Sequence, residues 1–269
     1  CIRDSSYSWQ GVLHEFLKCN RPENVAEING NYAIVSGRKG NRSLDKNKYQ
    51  KDANILKEAF LAAEDTELLP RYAFYCAQSY RDAAMPEQAI EWYKKRVEIK
   101  AGWADEIYCS YIELGLLYEK QNDFEQALYY WQQGIIHDPS RAECWYHTAR
   151  RHSWNKHTEL AYIFGKQASE VPFPSGNRLF IVTDIYKYWS YYEWCINAYK
   201  LQKYSESYQA FKKLVAACPQ DLLDRVAHQL THYADLISED SFAEVSELSL
   251  NLNRLNRINL LHETLANNK

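Results

Sequence analysis

Apolar and small residues recur at helical spacing along most of the chain, and they do so in units. The clearest unit runs Tyr111-Ile-Glu-Leu114-Gly115-Leu-Leu-Tyr118 and continues through Ala127, Trp131 and Pro139. Small residues at Gly115 and Ala127 alternate with rings at Tyr118 and Trp131, which predicts two amphipathic helices that press together at the small positions and fill the remaining space with aromatics. Upstream, Ala77, Tyr80, Ala89 and Tyr93 fill the same slots; about 34 residues downstream they are filled by Trp145, Ala149, His152, Ala161 and Ala168. A further copy holds Tyr204, Ser207, Phe211 and Pro219, after an insertion carrying Pro172, Pro174 and Gly176. Asp123-Phe124-Glu125 and Tyr204-Ser205-Glu206 mark turns between the paired helices. From Leu222 to Leu265, apolar positions such as Leu230, Leu252, Ile258 and Leu261 keep helical spacing and predict capping helices.

Residues 1–50 break this pattern. Tyr7 to Phe16 reads as a strand, Val25 to Val35 as a hairpin around Asn29-Gly30, and Ser36 to Ser43 as a basic, Gly-containing loop. Asp45 leads toward a helix with Ile55, Leu56, Ala59 and Phe60 on one face. The repeating units fit the tetratricopeptide (TPR) template, W-x2-L-G-x2-Y followed by Ala, an aromatic and Pro. The predicted fold class is therefore mainly α, a TPR-like α-solenoid of helical hairpins preceded by a small β element. The boundaries fall at 1–50 for the β element, 51–70 for a linking helix, 71–219 for the repeats and 220–269 for the capping helices.

Composition narrows the function. In 269 residues, 32 Lys and Arg face 35 Asp and Glu, a formal net charge of −3, so there is no electrostatic basis for nucleic-acid binding. No stretch reaches the roughly 20 apolar residues of a membrane span and no charged-then-apolar leader opens the chain, so the expected compartment is cytoplasmic with no membrane partner. The seven cysteines show no C-x-x-C pair and fall mostly in helical apolar patterns, as reduced structural thiols do.

Three sets of residues then carry a family resemblance. Trp9-x-Gly11-x-Leu13-His14-Glu15, followed by Gly37-Arg38-x-Gly40-x-Arg42-Ser43-x-Asp45, is similar to the distal end of the catalytic domain in family-2-type glycosyltransferases that carry a TPR extension. Arg71-Tyr-x-Phe74-Tyr75-x-Ala77-Gln78-Ser79-Tyr80-Arg81-Asp82 and Gly102-Trp103 resemble the first repeat of that family. Val171-Pro-x-Pro174, Leu179-Phe180, Ile185-Tyr186-x-Tyr188 and Glu193 resemble its insertion before the last repeat. The resemblance implies transfer of a sugar from a nucleotide-sugar donor to a protein or glycan acceptor, with divalent Mn or Mg held by an Asp-x-Asp motif. The sequence carries no such motif after an apolar strand. The β element thus looks like the end of an absent α/β nucleotide-sugar domain expected upstream of Cys1. The chain alone is expected to hold no cofactor and to be inactive.

On that resemblance, His14 and Glu15 are the catalytic candidates, with His14 as a metal ligand or as the group that polarises the leaving diphosphate. Arg38 and Arg42 are donor-phosphate candidates, since guanidinium forks suit phosphate oxygens. The plain alternative for the first pair is a surface His and a solvated Glu, side by side on a strand and facing opposite ways. On the repeats, Gln78, Arg81, Asp82, Tyr146, Arg150, Trp154, Tyr192 and Tyr199 fall by offset on the concave face of the first helices, where such arrays take a protein, peptide or glycan. A non-enzymatic adaptor binding a peptide there is the competing function. His228 and His232 stand four apart with Gln229 between them and no third ligand, so they carry no metal-site expectation.

Overall fold

The computed structural model describes residues 7–19, 45–63, 66–176 and 178–266. The expected hairpin at 25–35, the basic loop at 36–43 and with it Arg38 and Arg42 lie outside the described residues. Strands β1 (Tyr7–Gln10) and β2 (Phe16–Cys19) pair antiparallel, Tyr7 opposite Cys19 and Gln10 opposite Phe16. The single strand read over Tyr7 to Phe16 is therefore a hairpin. Gly11 at φ 98 and His14 at φ 51 leave the extended region, and this turns the chain back on itself.

The helices follow in order: α1 (Lys48–Ala62), α2 (Leu69–Asp82), α3 (Pro86–Glu98), α4 (Ala104–Lys120), α5 (Phe124–His137), α6 (Ala142–Trp154), α7 (Thr158–Glu170), α8 (Ser190–Lys200), α9 (Tyr204–Val215), α10 (Gln220–Val226), α11 (Ala234–Glu239), α12 (Phe242–Arg254) and α13 (Ile258–Ala266). The fold class is mainly α, of TPR-like helical hairpins. One local device recurs in every hairpin. Ala84, Asn122, Lys156 and Gln202 each take a left-handed conformation two residues past the end of a first helix. The next residue's N–H then reaches back five positions: Met85 to Tyr80 O, Asp123 to Tyr118 O, His157 to His152 O and Lys203 to Ala198 O, at 2.9–3.0 Å. This is the Schellman ending of a helix, made here without glycine. Asn256 repeats it between α12 and α13, with Arg257 N bonded to Leu252 O at 2.7 Å. Asp123 then caps α5, accepting from Gln126 N at 3.1 Å.

Contacts divide the chain into two compact units, Cys1–Leu117 and Tyr118–Lys269. In the first, α2 packs against α1 and α3. Leu56, Phe74, Cys76, Ala77, Ala89 and Tyr93 are fully buried, the small residues lying where the helices approach most closely. Gly102 at φ 81 ends the loop before α4; a Cβ there would fall 2.7 Å from Pro70 Cβ. Buried Arg96 fixes that loop by donating to Ile99 O and Trp103 O, both at 2.9 Å, and to Glu106 Oε2 at 3.1 Å.

In the second unit α5 to α9 pack each on the next. Gly165 sets the closest approach, since a Cβ there would sit 3.1 Å from Trp194 N in α8. A π-turn over Ile185–Trp189 leads into α8. Phe211, Leu214, Leu222, Tyr233, Leu248, Leu252 and Leu261 join α9 to the C-terminal helices in one apolar cluster. The sequence predicts that ending as capping helices, and the structure interrupts them with a 3-10 segment at Ala227–Tyr233. Cys76, Cys109, Cys144, Cys195 and Cys218 are buried free thiols. Burial pushes Cys76 and Cys195 up to about 12 and Cys218 up to about 11, so they stay protonated; Cys76 donates to Ala53 O at 3.4 Å and Cys195 to Gln229 Oε1 at 3.2 Å. Among the described residues, no helix is long and apolar enough to cross a membrane.

Candidate functional site

In the first unit the β hairpin is fixed to α2. The Arg71 guanidinium donates to His14 O from Nε at 3.1 Å and from Nη2 at 2.5 Å, and lies 5.0 Å over Phe16 and 4.8 Å over Tyr75. The His14 ring stacks on Tyr75 at 4.0 Å with a 12° tilt, and Lys18 pairs with Glu67 at 2.7 Å. His14 and Glu15 are thus turn residues and do not alternate across a strand; both are exposed. Burial raises the Tyr75 phenol above its ordinary value, so it stays neutral beneath the imidazole. A cavity of about 210 Å³ opens beside this contact, walled by Phe16, Arg71, Trp103 and Glu106. Further along α2, Arg81 pairs with Glu113 at 2.6 Å and with Asp82 at 2.9 Å. Asp82 is exposed and Gln78 half-buried.

The second unit gathers more of the expected residues. On α6, Arg150 lies 4.7 Å over Trp154, 5.8 Å over Tyr146 and 5.9 Å over Trp131, and is ion-paired with Glu119. Arg151 reaches the same carboxylate at 3.7 Å and lies 3.9 Å over Phe124. The positive charge is therefore held in an aromatic frame and neutralised from one side, which leaves the Trp154 ring 58% exposed. Tyr146 is buried, 6.3 Å from Trp189, which in turn stands 6.0 Å from Tyr192. The rings thus run from α6 onto the start of α8. Tyr199, two helical turns beyond Tyr192, bonds His232 Nδ1 at 3.2 Å and meets the His228 ring edge-on at 5.7 Å. The 3-10 segment therefore places His228 and His232 around Tyr199.

Between α6 and α8 lies a group that the sequence marks only through the insertion resemblance, not as a site candidate. Glu193 is buried; Asn197 Nδ2 donates to its Oε2 at 3.3 Å, and Ser153 Oγ donates to Asn197 Oδ1 at 3.3 Å. Desolvation pushes its carboxyl up to about 7 against the opposing pull of Lys200 and Arg150. Beyond its place in the insertion resemblance, its sequence signal is the Glu193/Asn197 spacing of one helical turn. The insertion is also held from inside. Arg141 and Glu143, both fully buried, pair at 2.9 Å; Arg141 donates to Leu179 O at 3.0 Å, and Glu143 accepts from Tyr186 OH at 2.9 Å and Val182 N at 3.3 Å.

No family model and no curated protein matches the chain. Among solved structures, the crystal structure of MamA is similar at a TM-score of 0.48 and 15% identity, covering 72% of this chain and 99% of that one. A MamA RS-1 ArsTM double mutant is similar at a TM-score of 0.44 and 14% identity, covering 72% and 97%. The hairpin assignment rests on this chain's own recurring helix endings and buried small residues.

The structure brings Tyr146, Arg150 and Trp154 together on α6 and continues them through Trp189 to Tyr192. It sets Tyr199 apart with the histidines, and ties Arg81 to acidic neighbours on the first unit. Chemically, the α6–α8 face offers flat aromatic surface, hydrogen-bonding groups and one shielded cation, which suits binding more than bond-making. Among the described residues no group of three or more His, Cys, Asp or Glu is arranged to hold a metal ion.

Proposed function

We propose that this chain is a binding module whose α6–α8 face takes an extended peptide segment of a partner protein. The observation that carries the reading is the row of Trp154, Arg150, Tyr146, Trp189 and Tyr192, rings on two successive first helices with a cation seated among them. Aromatic anchors framed by polar groups concentrate binding energy at little conformational cost. Selection from a displayed random-peptide library tests this. Enriched peptides are expected to lose at least about tenfold in affinity with Trp154→Ala, at unchanged melting temperature, and with Tyr192→Ala in protein that remains folded.

A second reading places the chain in a sugar-transferring polypeptide, and one observation favours it. Two of the segments that carry the glycosyltransferase resemblance, Trp9 to Glu15 and Arg71 to Tyr75, touch through Arg71, His14 and Tyr75. In that setting the repeats would hold the acceptor, and the nucleotide sugar and the Mn or Mg would sit with residues upstream. The natural polypeptide with a panel of nucleotide sugars and either metal is then expected to release nucleotide, with a sharp drop in His14→Ala. Silence across the panel with folded protein overturns this second reading and leaves the first intact.

A further inference from the structure

We infer that the second unit carries a site for a neutral saccharide in the cavity that α12 forms with α7, α8 and α9. This stands independently of the α6–α8 face. The cavity measures about 450 Å³, within the range of small-molecule sites, which runs from about 300 to about 1,000 Å³. Two rings from α8, Tyr191 and Trp194, form one wall, and buried Leu248 and the Ala216 methyl supply apolar surface opposite. Glu170, Gln209, Glu247 and Asn251 add carboxylates and amides to the lining. A pyranose has the same two-sided character, with C–H faces that lie on aromatic rings and a rim of hydroxyls that donate to carboxylates and exchange bonds with amides.

The charges argue for a neutral ligand. Lys212 is spent within the protein, bonded to Asp240 Oδ2 at 3.1 Å and Glu244 Oε1 at 3.4 Å. Lys213 shares the lining with Glu170, Glu244 and Glu247, so three carboxylates stand there against two ammonium groups, Lys212 and Lys213. No unbalanced cation cluster awaits a phosphate. The Trp194 indole N–H is buried, with no acceptor among the described residues.

The test is titration of the full chain with methyl β-glucoside, methyl α-mannoside, N-acetylglucosamine and cellobiose, with inorganic phosphate and ethylenediamine as charged counterparts. The readout is the indole ¹H–¹⁵N signal of Trp194, assigned through Trp194→Phe. At least one neutral sugar is expected to shift that signal saturably, with a midpoint on the order of 1 mM. Glu247→Ala combined with Asn251→Ala, changes on the solvent-facing side of α12, is expected to weaken binding about tenfold at unchanged melting temperature. The inference is overturned if no sugar moves the Trp194 signal up to about 50 mM. It is equally overturned if only phosphate or ethylenediamine moves it, or if sugar binding survives the α12 double variant.

Discussion

Replacing Arg141 with leucine is expected to lower the free energy of unfolding by about 3–5 kcal/mol, measured by equilibrium urea denaturation. Arg141 and Glu143 are both fully buried, joined by Arg141 Nη2 to Glu143 Oε1 at 2.9 Å and Nε to Oε2 at 3.2 Å. Removing the guanidinium leaves a carboxylate without its counter-charge in a dry site. It also takes away the donor to Leu179 O, one of the bonds that hold the insertion against α6. Tyr186 does not replace the lost charge. Burial and the Glu143 carboxylate keep its phenol above the ordinary value, so it stays a neutral donor to Glu143 while accepting from Ala142 N at 3.0 Å. The double variant Arg141→Leu/Glu143→Leu is expected to recover more than half of the loss, because a buried pair removed whole costs far less than one broken. A single-variant loss under about 1 kcal/mol would show that the pair does not hold the insertion.

The second large effect is a stability profile with two opposing limbs in pH. His147 on α6 stacks on Trp131 at 5.3 Å, and its Nδ1 is buried without a partner. Burial, with a smaller push from Arg150, lowers it to about 3. Its folded value lies below the unfolded one of about 6.5, so the unfolded state takes up the proton first, and stability falls as pH drops below about 6.5. From pH 7 to pH 4 the loss is about 3 kcal/mol. Glu193 acts in the other direction. Its value is raised to about 7, so its contribution is fully present below about 4.5 and is lost as pH rises through about 7, again by about 3 kcal/mol. Between about pH 4.5 and 6.5 the two slopes offset each other. Melting temperatures over a pH series are expected to show His147→Phe without the acid limb below about pH 4.5 and Glu193→Gln without the loss toward pH 8. Coincident profiles for wild type and both variants would contradict the burial of these groups.

The hairpins were legible because they rest on side-chain size at fixed spacing. Ala77, Ala89, Ala149, Ala161 and Ala168 are all buried, and α5 and α9 begin at Phe124 and Tyr204, inside the two turns read from the sequence. What the pattern does not carry is backbone conformation set by tertiary contact. Ala84, Lys156 and Gln202 take left-handed turns with no glycine to mark them, because the six-residue back-bond satisfies the helix end. The sequence reads His14 as part of a strand because its neighbours alternate, yet it takes φ 51 in a turn where Arg71 binds its carbonyl. The Arg141/Glu143 pair was invisible because residues two apart do not face each other on a helix. Arg141 stands just before α6 in extended geometry, φ −113 and ψ 135, and so can reach back to Glu143. Within the candidate face, helical offset placed Tyr146, Arg150 and Trp154 on one side of α6. The Glu119 counter-charge and the Trp189 bridge depend on side-chain contacts between elements, which spacing along one helix does not encode.

The most direct test of the binding reading is isothermal titration of a library-selected peptide into wild type, Trp154→Ala, Tyr192→Ala and, as a control at an exposed apolar residue of the first unit, Leu61→Ala. The account predicts that affinity falls at least about tenfold in the first two variants and is unchanged in the third, with the melting temperatures of Trp154→Ala and Leu61→Ala preserved and Tyr192→Ala still folded. Equal affinity across the four proteins, or a selection that enriches no peptide, would contradict it.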